Sequence, residues 1–205
     1  IAAKSPPDGY TFLVTTSTPV WSARGLYTKL PYNAAKDFAP VTLFPSGALI
    51  LAANKDLPVK NAAELVEYAK SHPLTLGTYG QGSWPHLVAE NWIKVRKIPL
   101  TTVHYKGEAP MWIDVVNGQI QAVVGSYLQF AMHYQKGTVK PLAAATGSLR
   151  SPKLPDVASM VEQGFTDPLY KLEGYMPMVA PAGTPVEILR KVAEAIHEAS
   201  GTPKL

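Results

Sequence analysis

The sequence of 205 residues predicts an α/β fold, and three observations carry that prediction. Short runs rich in β-branched and aromatic residues alternate with segments of helical periodicity, the pattern of βαβ units and a largely parallel sheet. Gly, Pro and Asn stand at the joints, where turns and helix ends need them. The composition, 46% hydrophobic and 17% charged, is that of an ordinary globular protein.

Pro6-Pro7-Asp8-Gly9 is a turn, and residues 10–15 read as a buried strand. That strand runs into a hydroxyl-rich loop, Thr15-Thr16-Ser17-Thr18-Pro19. Two more strands follow at 41–44 and 49–53. Asn61 opens a helix as its cap, with Glu64 three residues on forming a box-like pair, and Pro73 ends the run. Residues 74–79 read as a strand, 80–83 as a turn and 84–95 as a helix. A strand at 99–104, a helix at 109–117 closed by Gly118, and a strand at 120–124 come next. The spacing then predicts a helix over 127–135 broken at Gly137, and a strand at 139–146. A short helix at 157–162 stopped by Gly164, a strand at 175–179 and a final amphipathic helix at 186–199 complete the chain.

Several function classes are excluded by composition. No apolar run approaches the ~20 residues of a membrane helix. The net charge of +4 is mild and its cations are scattered, so no basic stripe suits nucleic acid. With no cysteine there is no disulfide, thiol nucleophile or thiolate zinc site. The five histidines (72, 86, 104, 133 and 197) show no metal-binding spacing, so neither metal nor cofactor is expected. No Walker loop, complete dinucleotide fingerprint or hydrolase elbow is present. Carboxylates such as Asp8, Glu90, Glu108, Asp114 and Glu173 form no acid/base pair in sequence. The chain has no initiator Met, opens on a turn and stops just past a helix. Further pieces are therefore expected at both ends.

One local feature carries chemistry. The strand at 74–79 passes through Gly80-Gln81-Gly82 to Ser83, a suitable N-cap, with Pro85 tolerated in the first helical turn. Such a loop offers backbone N–H groups beside a partial positive charge, a place for a carboxylate or phosphate. A capped helix after a tight turn is the plainer reading of the same residues. Thr16, Ser17 and Thr18, beyond a strand end, are a second candidate, since ligands of open α/β sheets sit there. Equally, these hydroxyls could cap their own loop. Lys106 could supply a cation or be simply solvated.

Taken in order, these segments resemble one family. Asp8-Gly9-Tyr10-Thr11, Leu26-Tyr27, Leu30-Pro31-Tyr32 and Lys36-Asp37-Phe38-Ala39-Pro40-Val41 carry the first part of the likeness. Gly82-Ser83, Pro85-His86-Leu87, Tyr105-Lys106-Gly107, Leu154-Pro155-Asp156-Val157 and Ala180-Pro181-Ala182-Gly183-Thr184-Pro185 extend it over nearly the whole chain. The sequence is similar to the Bug-type extracytoplasmic solute receptors of tripartite tricarboxylate transporters.

The resemblance implies a periplasmic protein with a two-lobed, type II-like binding-protein fold and two crossover strands, hinging shut on its ligand. By it, residues 1–74 and 175–205 form an incomplete first lobe and 75–174 the second, the crossings lying near Leu74 and near residues 171–175. It implies a small organic carboxylate as ligand, membrane transporter subunits as partners, a monomer, and no catalysis. The ligand-binding residues carried over are Thr16, Ser17, Thr18, Tyr79, Gln81, Gly82, Ser83, His86 and Ser126. Two departures stand out. The family's opening strand and its Pro- and Gly-rich pocket loop are not in this chain. Val124-Gly125-Ser126-Tyr127 stands where many relatives have an Asp that pairs with an ammonium. A ligand without an amino group is therefore expected, with room beside Tyr127 for an apolar or aromatic body. An α/β esterase and a sensory ligand-binding module are the rival readings.

Overall fold

The computed structural model describes residues 1–45, 47, 49–147, 150–172 and 174–201. Glu173, one of the carboxylates considered above, lies outside them, as does part of the expected second crossing. Among the described residues the strands are β1 (Leu13–Val14), β2 (Phe38–Pro45), β3 (Leu49–Asn54), β4 (Thr75–Thr78), β5 (Thr101–His104), β6 (Ala122–Ser126), β7 (Val139–Ala144) and β8 (Tyr175–Pro181). The helices are α1 (Ala23–Leu26), α2 (Ala34–Asp37), α3 (Ala62–Ala69), α4 (Trp84–Lys94), α5 (Glu108–Val116), α6 (Tyr127–Gln135) and α7 (Val186–Ser200).

The chain divides into two units, Ile1–Pro45 with Tyr175–Leu205, and Ser46–Gly174. The family resemblance implies a first boundary at 74/75, whereas the contacts divide the chain at 45/46. The reason is β3, which pairs along its length with β6 and β7 and so draws α3 into the second unit.

In the first unit β8 lies between β1 and β2, antiparallel to both. Pro40 and Pro45 are tolerated because β2 is an edge strand, and the register shifts between Pro40 and Thr42. The buried strand predicted at 10–15 shrinks to Leu13–Val14. Tyr10 is fully out in solvent, its N–H tied to the Asp8 side chain at 3.0 Å, so the turn extends further than the sequence suggested.

The second unit holds a five-stranded sheet in the order β5-β4-β6-β3-β7. Strands β5, β4 and β6 run parallel, as the βαβ pattern predicts, while β3 enters antiparallel between β6 and β7. The C-terminal ends of β4, β5, β6 and β7 therefore emerge along one edge, beside the start of β3. Strand β3 is buried on both faces. Leu49, Leu51 and Ala53 pack with Leu65 of α3 and Trp92 of α4, and Ile50 and Ala52 with Trp112 of α5 and Phe130 of α6. Helices thus cover both faces, leaving the strand ends as the open surface.

The helix predicted at 157–162 does not form. Ser159 and Glu162 make a reciprocal pair (Ser159 N–H to Glu162 Oε2, 2.7 Å; Glu162 N–H to Ser159 Oγ, 3.2 Å). Gly164 then turns the chain with φ +88°, after a single turn. Ser159 instead bridges Ala144 at the end of β7.

Candidate functional site

At the end of β4 the chain makes the turn from Tyr79 to Ser83 and enters α4 with Pro85 in its first turn. Gly82 has φ +78°, a conformation that side chains resist, which explains glycine there. Ser83 stands at the N-cap position, but its hydroxyl does not cap the helix. It donates instead to the Gly80 carbonyl at 2.6 Å. The Gly82 N–H donates to His86 Nδ1 at 2.8 Å. The Ser83 N–H also donates to the Gly80 carbonyl at 3.2 Å, so the loop is tied internally at three points, while the first N–H groups of α4 have no intrahelical acceptor. Gly82 and Ser83 are buried, His86 half-buried and Gln81 exposed.

Beside this loop His86 meets His104, ring centroids 4.5 Å apart and edge to face. His104 Nδ1 lies 2.7 Å from the Thr78 hydroxyl. Burial first, then the His86 charge, hold the His104 pKa below the usual imidazole range. On the far side His86 Nε2 lies 3.6 Å from Glu90, which Lys94 pairs at 2.6 Å. The Lys94 hydrogen bond leads the causes that lower the Glu90 pKa.

Strand β6 adjoins β4, with Leu76 opposite Ala122 and Gly77 opposite Val123, which brings Ser126 to the same edge as Tyr79. Ser126 caps α6, its Oγ accepting from the Gln129 N–H at 3.4 Å. The Ser126 N–H and hydroxyl both donate to Glu108, at 3.0 and 2.8 Å to Oε2, and Trp112 Nε1 adds a third bond at 3.3 Å. A carboxylate thus does reach the loop after β6, where the sequence suggested none. It comes from the first residue of α5, 18 positions earlier. Its sequence signal, an acid opening a helix after a glycine, is shared with every charge placed against a helix dipole. Burial, followed by the Glu108 charge, pushes the Tyr79 hydroxyl pKa far above its ordinary value and keeps that group neutral.

Around the start of α6 lies a cavity of about 350 Å³, lined by Ser126, Tyr127, Leu128, Ser151 and Lys153 among others. Lys153 sits over the Tyr127 ring at 5.2 Å. Lys106, after β5, is exposed. No group of three or more His, Cys, Asp or Glu suited to a metal ion occurs among the described residues.

Six predicted residues, Tyr79, Gln81, Gly82, Ser83, His86 and Ser126, thus share one sheet edge in the second unit. Thr16, Ser17 and Thr18 belong to the first unit, where β1 gives way to a helical turn over Thr18–Ser22. Thr16 is exposed, and Ser17 and Thr18 are half-buried.

Comparison with known proteins matches residues 1–205 to the family described as "Tripartite tricarboxylate transporter family receptor". A UPF0065 protein of Bordetella bronchiseptica is 30% identical over 205 residues, which is 99% of this chain and 59% of that protein. The chain therefore spans about three fifths of that relative's length. Among solved structures, Rpa4515 of R. palustris with adipate superimposes with a TM-score of 0.91 at 31% identity, covering 99% of this chain and 68% of that one. MatC of Rhodopseudomonas palustris with bound malate gives a TM-score of 0.86 at 29% identity, covering 98% and 68%.

Proposed function

The chain belongs to the tripartite tricarboxylate transporter receptor family, and from that premise we propose that it captures a small organic carboxylate in the periplasm for the membrane subunits of such a transporter. The observation that carries this reading is the turn from Tyr79 to Ser83. It joins a parallel strand to a helix N-terminus at the sheet edge where the other strand ends gather. That arrangement favours an anion, because helix-end N–H groups and the helix dipole both point at it. The binding-site residues we propose are Tyr79, Gln81, Gly82, Ser83 and Ser126 in the second unit, with His86 behind their loop, and, from the family resemblance, Thr16, Ser17 and Thr18 in the first. The adipate and malate bound by two similar proteins support a carboxylate.

We take the protein to be a monomer that releases its ligand unchanged. An esterase needs an activated nucleophile, and Ser83, the candidate, gives its proton to a backbone carbonyl rather than to an imidazole. Thermal unfolding of the full-length protein against a panel of mono-, di- and tricarboxylates tests the proposal, with amino acids and sugars as controls. An acid present at a hundred times its Kd stabilises by about 2.7 kcal/mol. That corresponds to a rise of several degrees for a chain of this size. A folded protein that responds to no carboxylate would refute the receptor reading.

A further inference from the structure

We propose that His86 is a positioning residue, which shapes the anion-holding loop through the Gly82 amide rather than by touching the ligand. The inference rests on the receptor reading above and deepens it. A backbone N–H can only donate, so the 2.8 Å contact fixes Nδ1 of His86 as the bare, accepting nitrogen. The remaining ring proton then sits on Nε2, facing Glu90 Oε1 at 3.6 Å. With a side chain only 12% exposed, His86 leaves little room for water to take over the bond to Gly82.

Gly80 and Gly82 both adopt positive φ in this loop, and Gly82 is the one nearer the helix start, so holding its amide holds the turn that aims the following N–H groups. The Ser83–Gly80 bond closes the same turn on its other side. A second proton on His86 would set N–H against N–H where the clamp now lies. Two groups face that change, each engaged by a partner of its own. Glu90, from the same helix, favours the imidazolium but is already paired with Lys94. His104, from β5, opposes it with its ring 4.5 Å away, and its Nδ1 is engaged by the Thr78 hydroxyl. A proton added at Nδ1 would therefore open the clamp and weaken anion binding.

Titration calorimetry of the full-length protein with adipate and with malate, at about pH 8 and about pH 5.5, spans the imidazole range. His86→Ala removes the acceptor and should weaken binding roughly tenfold at about pH 8, the scale of one lost hydrogen bond in a charged site. His86→Asn places an amide oxygen near the position of Nδ1 and does not titrate. It should bind within about threefold of the natural protein at the higher pH and lose that part of the acid weakening that His86 causes. Protonation of the acid itself is common to all variants. In parallel, the Gly82 amide resonance should shift with pH in the natural protein and stay still in His86→Asn. A folded His86→Asn as weak as His86→Ala, or a Gly82 amide indifferent to pH, overturns the proposal. If the natural protein binds neither acid while its Gly82 amide still follows His86, the clamp stands, and the carboxylate panel above decides the receptor reading separately.

Discussion

Gly125 and Gly77 lie on adjacent strands at places where a Cβ would meet neighbours, and those neighbours differ in how far they can give. A Cβ on Gly125 would stand 2.8–3.1 Å from ring atoms of Trp112, a fully buried indole with no soft end to retract. On Gly77 the closest atoms are the terminal carbon of Ile120 at 2.6 Å, Cγ of Met111 at 2.9 Å and a Val123 methyl at 3.1 Å, all on aliphatic side chains that can turn about more bonds than an indole. Overpacking a core costs about 1–3 kcal/mol. Gly125→Ala should fall toward the upper end of that range and Gly77→Ala toward the lower, read as the shift in urea midpoint. Equal losses would mean that the indole is freer than its packing suggests. Residues of this kind also mark how far the site can be read from sequence. Gly80, Gly82, Ser83 and His86 are legible because turn and helix start lie within a few positions. Glu108 is not, because its partnership with Ser126 is set by the pairing of strands and the packing of α5, which no local spacing encodes.

The helices show the same contrast between one local signature and two outcomes. Asn61 accepts the Glu64 N–H at 2.8 Å while Glu64 Oε2 reaches back to the Lys60 N–H at 2.8 Å, one residue before the partner of a standard capping box. Beyond that pair Leu65 and Ala69 are buried at helical spacing, and α3 runs on for eight residues. Ser159 and Glu162 form an equivalent pair, yet Gly164 follows within two residues and the turn goes no further. A cap starts a helix, but an apolar stripe sustains it. Asn61→Ala should therefore cost the second unit about 1 kcal/mol, measured as a lower urea midpoint with an unchanged slope. Asn61→Asp should restore it, since an aspartate oxygen can accept the same N–H. Strand order lies beyond this kind of reading. The apolar run at 49–53 reads as a strand, but nothing in it reveals that β3 lies antiparallel between β6 and β7, and the boundary implied by the resemblance falls 29 residues past the one the contacts give.

For the molecule as a whole, the groups with displaced pKa values set the pH range over which it stays folded. His104 and His133 are both held below the usual imidazole range, in each case chiefly by burial, with the neighbouring charges of His86 and Lys136 adding to it. The unfolded chain then binds more protons than the native one. This share of stability is complete above about pH 6.5 and drains away as the pH falls through the lower folded values. Glu90, Glu162 and Asp167 are lowered too, led by a Lys94 hydrogen bond, a Ser159 backbone bond and an Arg96 hydrogen bond respectively. Their share is present above their unfolded values, near pH 4, and is lost below them. At the alkaline end the sign reverses in pH. Burial raises Tyr105 and Tyr170 to about 12, so unfolding releases protons and stability falls once the pH passes about 10. Urea midpoints measured across this range should show a plateau near neutrality, a first decline below about pH 6.5 and a steeper one near pH 4. Replacing both His104 and His133 by Gln should lower the plateau but remove the first decline, leaving the second in place. If that decline survives the double replacement, the protons that destabilise the fold between neutrality and pH 5 enter elsewhere, and His86 at its clamp would be the next group to test.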